Sequence, residues 1–118
     1  MSKYTYEHLL IYFIYVRFIM NEYELDEDLM YTLSEFFKIL SDPTRMKIVY
    51  ILTKGSLHVQ DLANKVGLSQ TAVSYQLRIL RAAKIVKFRR QGKMIFYAID
   101  DEHVSDIINT ATIHLNEE

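Results

Sequence analysis

Hydrophobic residues three or four positions apart dominate the chain after residue 26, and this spacing predicts a mainly helical fold. The first series, which predicts a helix over about residues 27–40, consists of Leu29, Leu33, Phe36 and Leu40. Asp26 precedes it and is the expected N-cap, because Asp favours that position. A second helix over about residues 43–53 is predicted from Asp42 as its cap and Pro43 at its first position.

Two further helices are predicted close together in the middle of the chain. A short helix over about residues 59–66 stops at Gly67, and Ser69 caps a longer helix over about residues 70–82. Two helices joined by a tight turn that contains glycine form a helix-turn-helix. This stretch therefore predicts a unit that can place its second helix in a DNA groove.

The second of these helices divides into a buried and an outward face. Val73, Leu77 and Leu80 form the expected buried stripe. Hydrogen-bonding side chains with little charge occupy the outward positions near the start of the helix, as the reading of base edges in a major groove requires. The candidate DNA-reading residues are Ser69, Gln70, Thr71, Ser74, Tyr75 and Arg78.

Two alternating segments follow, over residues 85–90 and 94–99, and predict strands of a β-hairpin about a turn at Gln91 and Gly92. A hairpin after a reading helix is a wing. Its tip is expected to carry three basic residues that contact phosphate or reach a minor groove. These are Arg89, Arg90 and Lys93. A merely solvated basic tip is the alternative.

Charge is segregated along the chain, although the formal net charge is only -1. The segment from Leu62 to Ile99 contains eight Lys or Arg and no Asp or Glu, so all fifteen acids lie outside it. Such a segment is typical of a surface that binds an anionic polymer, above all the phosphate backbone of nucleic acid. A solvated basic face would give the same charge pattern.

The N-terminal segment, residues 1–26, is predicted to be an extension of a single domain that comprises residues 27–118. Its apolar run from Leu9 to Val16 ends at Arg17, which is far short of the roughly 20 residues that a membrane span needs. It lacks the features of a signal peptide. The absence of cysteine fits a reducing cytoplasm, and a cytoplasmic protein with no membrane partner is expected. The segment could be an additional helix packed on the domain or on a second subunit, or Met20 could be the biological start.

The last nineteen residues, 100–118, predict one amphipathic helix with two parallel stripes. An apolar stripe for the core or for a partner consists of Val104, Ile108, Ala111 and Leu115. The other stripe is polar at both ends and consists of His103, Ile107, Thr110, His114 and Glu117. Cysteine is absent, and no nucleophile with a neighbouring base, phosphate loop or carboxylate pair is evident, so an enzyme is not expected.

Taken together, these segments resemble the ArsR/SmtB family of bacterial metal-responsive winged-helix repressors. The resemblance covers about residues 28–117 and is carried by "LSDPTRMKIVYIL", "LSQTAVSYQLRILRAAKIVK", "RQGKMIFYAID" and the final "DDEHV…HLNEE". It implies a homodimer, joined through its terminal helices, that binds palindromic double-stranded operator DNA and leaves it when an effector binds. The family often has His where this chain has Tyr75, which is expected to change operator preference rather than to abolish DNA binding.

The resemblance also implies a metal site on the C-terminal helix. One family pattern, an Asp-x-His followed by His-x-x-(His or Glu), is matched by Asp101, His103, His114 and Glu117. His103 and His114 are eleven residues apart and therefore about 16 Å apart along a helix, whereas Zn–N distances are about 2.0 Å. We therefore expect two such helices to cross antiparallel in the dimer, so that each site takes one pair of ligands from each chain.

The predicted function is that of a repressor that binds its operator as the apo homodimer and is released by Zn(II). Four nitrogen and oxygen ligands suit tetrahedral Zn(II), and Co(II) would fit the same site. The alternatives are a repressor of this fold that responds to Co, Ni or a non-metal signal, a winged-helix protein-interaction module, and a zinc-buffering dimer.

Overall fold

A computed structural model of the protein describes residues 6–21 and 25–117. Within this part of the chain, six helices and three strands follow one another. They are α1 (Tyr6–Asn21), α2 (Glu27–Leu40), α3 (Pro43–Leu52), β1 (Leu57–His58), α4 (Val59–Val66), α5 (Gln70–Ala82), β2 (Val86–Gln91), β3 (Met94–Ile99) and α6 (Glu102–Asn116). The chain divides into two compact units, residues 1–34 and residues 35–118, and the division lies inside α2.

The first unit contains α1 and the beginning of α2. The apolar side chains from Leu9 to Tyr15 are exposed. Asp26 Oδ1 accepts a hydrogen bond from the backbone N–H of Leu29 at 3.0 Å, which confirms Asp26 as the cap of α2. No helix among the described residues has the length and hydrophobicity to cross a membrane.

Helix α3 of the second unit begins where its predicted capping residue places it. Asp42 accepts a hydrogen bond from the N–H of Arg45, and α3 starts at Pro43. This helix ends at Leu52, one residue before the predicted end, because Thr53 forms its C-cap. The start of α4 was not predicted to involve His58, yet Nδ1 of that histidine accepts the N–H of Gln60 at 3.4 Å.

The three strands form an antiparallel sheet in the order β1-β3-β2. Gln91 pairs with Met94, so the connection between β2 and β3 is the two-residue loop Gly92–Lys93, one residue later than predicted. Gly92 has a φ of +65°, which a two-residue hairpin loop needs at its first position and which glycine adopts without strain. Strand β1 was not predicted, and it pairs with β3 through Leu57 and Tyr97.

The core of the second unit lies between the helix-turn-helix, α3 and the sheet. Its fully buried side chains come from α3, α4, α5, the start of β2 and the turn that precedes β2. The largest of them are Ile48, Leu62, Leu77, Leu80 and Ile85. Helix α6 adds Val104 and Ile108 to this core, while the rest of its predicted apolar stripe is exposed. The mainly helical winged helix-turn-helix predicted from the sequence is therefore confirmed.

Candidate nucleic-acid interface and metal centre

The reading helix α5 is held at its N-terminus by Ser69, whose Oγ accepts the N–H of Ala72 at 3.1 Å. Val73, Leu77 and Leu80 are buried as predicted, which turns the opposite face of the helix to solvent. Four of the candidate reading residues in the helix are exposed and Ser74 is half-buried. The exposed ones are Gln70, Thr71, Tyr75 and Arg78.

The end of α5 adopts a Schellman motif with an unusual residue in its left-handed position. The N–H of Ile85 donates to the carbonyl of Leu80 at 2.9 Å, and that of Lys84 donates to the carbonyl of Arg81 at 3.0 Å. Lys84 has a φ of +60°, a conformation that glycine or asparagine usually supplies. The motif turns the chain directly from the reading helix into β2 of the wing.

The wing presents its basic residues in two different ways. The Arg89 guanidinium lies 4.8 Å from the centroid of the Phe96 ring, and its Nη1 donates to Gln91 Oε1 at 2.8 Å. Arg90 and Lys93 are exposed at the hairpin tip. The Arg89 guanidinium thus contacts two other side chains of the wing.

Arg81, in the last turn of α5, was not among the predicted site residues. Its guanidinium lies 4.0 Å from the centroid of the Phe88 ring on β2, a distance at which the cation is attracted to the aromatic face. Arg81 therefore connects the reading helix to the wing. The sequence does not predict this contact, because a basic residue seven positions before an aromatic one is not by itself a sign that the two side chains meet.

Arg45, in the first turn of α3, forms a second connection to the reading helix. Its Nε donates to the carbonyl oxygen of Ile39 at 2.8 Å, and its Nη1 donates to Gln76 Oε1 at 3.2 Å. Both side chains are half-buried. One guanidinium thus joins the end of α2 to the flank of α5.

Asp101 and His103 lie next to each other at the start of α6. Asp101 is the N-cap with extended backbone angles, and its Oδ1 accepts the N–H of His103 at 2.9 Å. The same oxygen lies 3.2 Å from His103 Nδ1, and the His103 and Asp101 side chains are 82% and 51% exposed. A carboxylate and an imidazole are therefore adjacent and open to solvent.

His114 and Glu117 lie at the other end of α6 and are also exposed. Glu117 is the C-cap residue, and its N–H donates to the carbonyl of His114 at 3.3 Å. His114 lines an open groove of about 600 Å³ together with Phe37 of α2 and four residues of α6. Within the described part of one chain, no three His, Asp or Glu residues are grouped so that they could hold a metal ion.

Comparison with known proteins identifies the family. Residues 42–87 match the model of "Bacterial regulatory protein, arsR family". The chain is 42% identical over 85 residues to a cadmium resistance transcriptional regulatory protein CadC homolog of Staphylococcus aureus, with 71% of this chain and 70% of that protein covered. This chain belongs to the arsR family of bacterial regulatory proteins. As an arsR-family member it is a DNA-binding transcriptional repressor and not an enzyme, as its sequence predicts.

Two further proteins are similar over much of the same region. A transcriptional repressor SmtB homolog of Synechocystis sp. is 41% identical over 85 residues, which cover 72% of this chain and 64% of that protein. The solution structure of a homodimeric winged helix-turn-helix DNA-binding domain from Mycobacterium bovis superposes with a TM-score of 0.74 at 24% identity, covering 82% of this chain and 90% of that one. The latter similarity supports the fold.

Proposed function

We propose that this arsR-family repressor is released from its operator by Zn(II), which binds at two symmetric sites between the subunits of a homodimer. The ligands of each site are Asp101 and His103 of one subunit and His114 and Glu117 of the other. In this proposal residues 27–118 form the DNA-binding and metal-sensing domain, and residues 1–26 are an extension of it. The repressor acts in the cytoplasm. Co(II) would fit the same four ligands.

The observation that carries this proposal is the distribution of donors along α6. A carboxylate and an imidazole are 3.2 Å apart at its start, and the second imidazole and carboxylate follow three turns later. Each end alone has two donors, whereas a structural or regulatory zinc ion takes four. Two antiparallel copies of α6 supply the complete set twice, which matches the two-fold symmetry of most homodimers.

The donor set fits zinc in chemical terms as well. The sequence has no cysteine, so no thiolate can hold a softer metal ion. Two imidazoles and two carboxylates are ordinary zinc ligands, and all four side chains are exposed in the single chain. The similarity to a cadmium resistance regulator supports a response to metal.

Exposed apolar residues on α6 and α2 support the homodimer. Phe37 of α2 and Ile107 of α6 are exposed and line the same groove as His114. Exposed large apolar side chains gathered in one groove often mark a protein interface. A similar protein whose structure is homodimeric agrees with this assignment.

Release follows from linkage between the two ligands. Zinc held between the subunits must favour the dimer conformation that has the lower DNA affinity, and DNA must then weaken zinc binding by the same factor. The chain's own contribution is to supply two ligands at each end of one rigid helix. The angle at which the two α6 helices cross therefore depends on whether zinc occupies the sites.

A metal titration of the purified apo protein on DNA tests this function. The probe is a duplex that the wild-type protein selects from a random-sequence pool, with ZnCl₂ as the titrant. We expect the wild-type protein to release the DNA as two zinc ions bind per dimer. The variant His103→Gln with His114→Gln should remain bound to the DNA at the same zinc concentrations. Retention of DNA by the zinc-saturated wild-type protein would reject the proposal.

A further inference from the structure

The reading helix of the repressor is tied to the end of α2 by one arginine side chain. Arg45 Nε donates to the Ile39 carbonyl at 2.8 Å, Arg45 Nη1 donates to Gln76 Oε1 at 3.2 Å, and the backbone N–H of Arg45 donates to Asp42 at 3.0 Å. We propose that Arg45 is a positioning residue for DNA recognition, because it fixes the reading helix relative to α2 through Gln76.

The carbonyl that Arg45 binds is one that α2 leaves without a partner inside the helix. The last four carbonyls of a helix have no N–H four residues ahead, and Ile39 is the second-to-last residue of α2. The N–H of Ser41 donates to the neighbouring carbonyl of Lys38 instead. A guanidinium at this point satisfies the free carbonyl and also places positive charge at the negative end of the helix dipole.

The contact with Gln76 fixes the orientation of its amide. A guanidinium has only donors, so the amide oxygen and not the amide nitrogen of Gln76 must face Arg45. Gln76 lies between the buried and the outward face of α5, since Val73 and Leu77 are buried and Tyr75 is exposed. A bond at this flank resists rotation of the helix about its axis, which would displace every outward side chain together.

The surroundings of Arg45 differ from those of the exposed basic residues that are expected to contact DNA. Its guanidinium is half-buried and engaged with two acceptors of the protein. It would therefore contribute to selectivity between sequences and little to the general attraction for phosphate. The proposal depends on DNA recognition by α5 and is independent of the metal.

The decisive measurement compares the affinities of the apo protein for two DNA duplexes. One is a duplex selected by the wild-type protein from a random pool, and the other has the same base composition in shuffled order. Gln76→Leu removes the acceptor on α5 but leaves the bond from Arg45 to Ile39. Arg45→Lys keeps the positive charge, but an ammonium group lacks the rigid planar arrangement of N–H groups with which Arg45 binds both Ile39 and Gln76. We expect each variant to lower the ratio of selected to shuffled affinity by about tenfold.

Two further variants separate positioning from direct contact. In the double variant, Arg45→Lys with Gln76→Leu, we expect no greater loss than in the more affected single variant, because both changes break one connection. Gln76→Glu keeps an acceptor for Arg45 and should retain the ratio, although its charge lowers both affinities. Loss of folding would lower both affinities alike, and circular dichroism monitors it.

Three results would overturn the proposal. An unchanged ratio in Gln76→Leu would mean that the connection does not position the helix. A lower ratio in Gln76→Leu but not in Arg45→Lys, or additive losses in the double variant, would mean that Gln76 contacts DNA itself. Failure of zinc to release DNA would affect only the proposed metal response, since no metal is present in this experiment.

Discussion

Oδ1 of Asp101 accepts the backbone N–H of His103 at 2.9 Å and lies 3.2 Å from the Nδ1 of the same histidine. One carboxylate therefore both caps α6 and adjoins an imidazole. Any substitution of Asp101 that removes the cap also weakens the helix, by about 0.5–2 kcal/mol for alanine. Experiments on the proposed metal site therefore need variants that keep a capping side chain.

The intersubunit site predicts that two inactive variants restore each other. The first carries Asp101→Asn and His103→Gln, because Asn still caps a helix, and the second carries His114→Gln and Glu117→Gln. Neither homodimer has a complete site. In the heterodimer one site has all four ligands, so we expect tight binding of one zinc ion per heterodimer, measured by calorimetry after mixing.

Subunit exchange in this mixture is verified independently, for example by energy transfer between labelled subunits. A site within one chain predicts no recovery, because every chain in the mixture lacks half of the ligands. No recovery in a mixture with demonstrated exchange would therefore refute the antiparallel arrangement of the α6 helices.

The second prediction separates base reading from phosphate contact. Gln70→Ala, at the exposed start of α5, should cost about 1 to 3 kcal/mol at particular base pairs and leave other sequences unaffected. Arg90→Ala, at the exposed wing tip, should weaken all duplexes alike and lower the salt slope by about one. Titrations at several salt concentrations measure both effects. A change of sequence preference in the Arg90 variant alone would reverse the two roles.

The third prediction concerns the cap of the reading helix. Ser69→Ala removes the acceptor for the Ala72 N–H and should lower the free energy of unfolding by about 1 kcal/mol. Ser69→Asp keeps an acceptor and should leave stability nearly unchanged, but its charge beside the phosphates should weaken DNA binding. Urea unfolding and DNA titration give the two values. Equal DNA affinity in Ser69→Asp and the wild type would show that Ser69 lies away from the DNA.

The fourth prediction tests the left-handed backbone at Lys84. Its φ of +60° is costly for a residue with an ordinary side chain, and Asn tolerates it better. Lys84→Asn should therefore be more stable than Lys84→Ala by about 0.5 to 1 kcal/mol. Both variants remove the same charge, so the comparison isolates the backbone effect. Thermal unfolding at one salt concentration is sufficient, and equal stability would contradict the explanation.

The helices could be predicted from the sequence because their signals are local. Caps such as Asp42 and Ser69 and the buried spacing of Val73, Leu77 and Leu80 depend on residues within one or two turns. Strand β1 was missed because two residues are too few to show alternation. The role of His58 as a cap was missed because histidine is not among the residues that favour that position.

The connections between elements could not be predicted for a different reason. Arg45 and Gln76 are 31 residues apart, and nothing in their spacing indicates that they meet. Arg81 and Phe88 lie on either side of the turn at Lys84, so their contact depends on the direction that this turn gives to β2. For the metal ligands the sequence supplied the residues and a helical separation, but assembly into a site depends on a second chain and remains a prediction.

The segregation of charge makes the second unit an electric dipole, although the formal net charge of the whole chain is only -1. Lys93 lies at the wing tip, whereas Asp100, Asp101 and Glu102 follow the far end of β3, about 20 Å away at 3.4 Å per residue. A dipole of this kind turns in the field of DNA as the two molecules approach, with its basic end leading. The repressor should thus arrive in a productive orientation more often than chance allows, and this kinetic advantage should fade as salt shortens the range of the field.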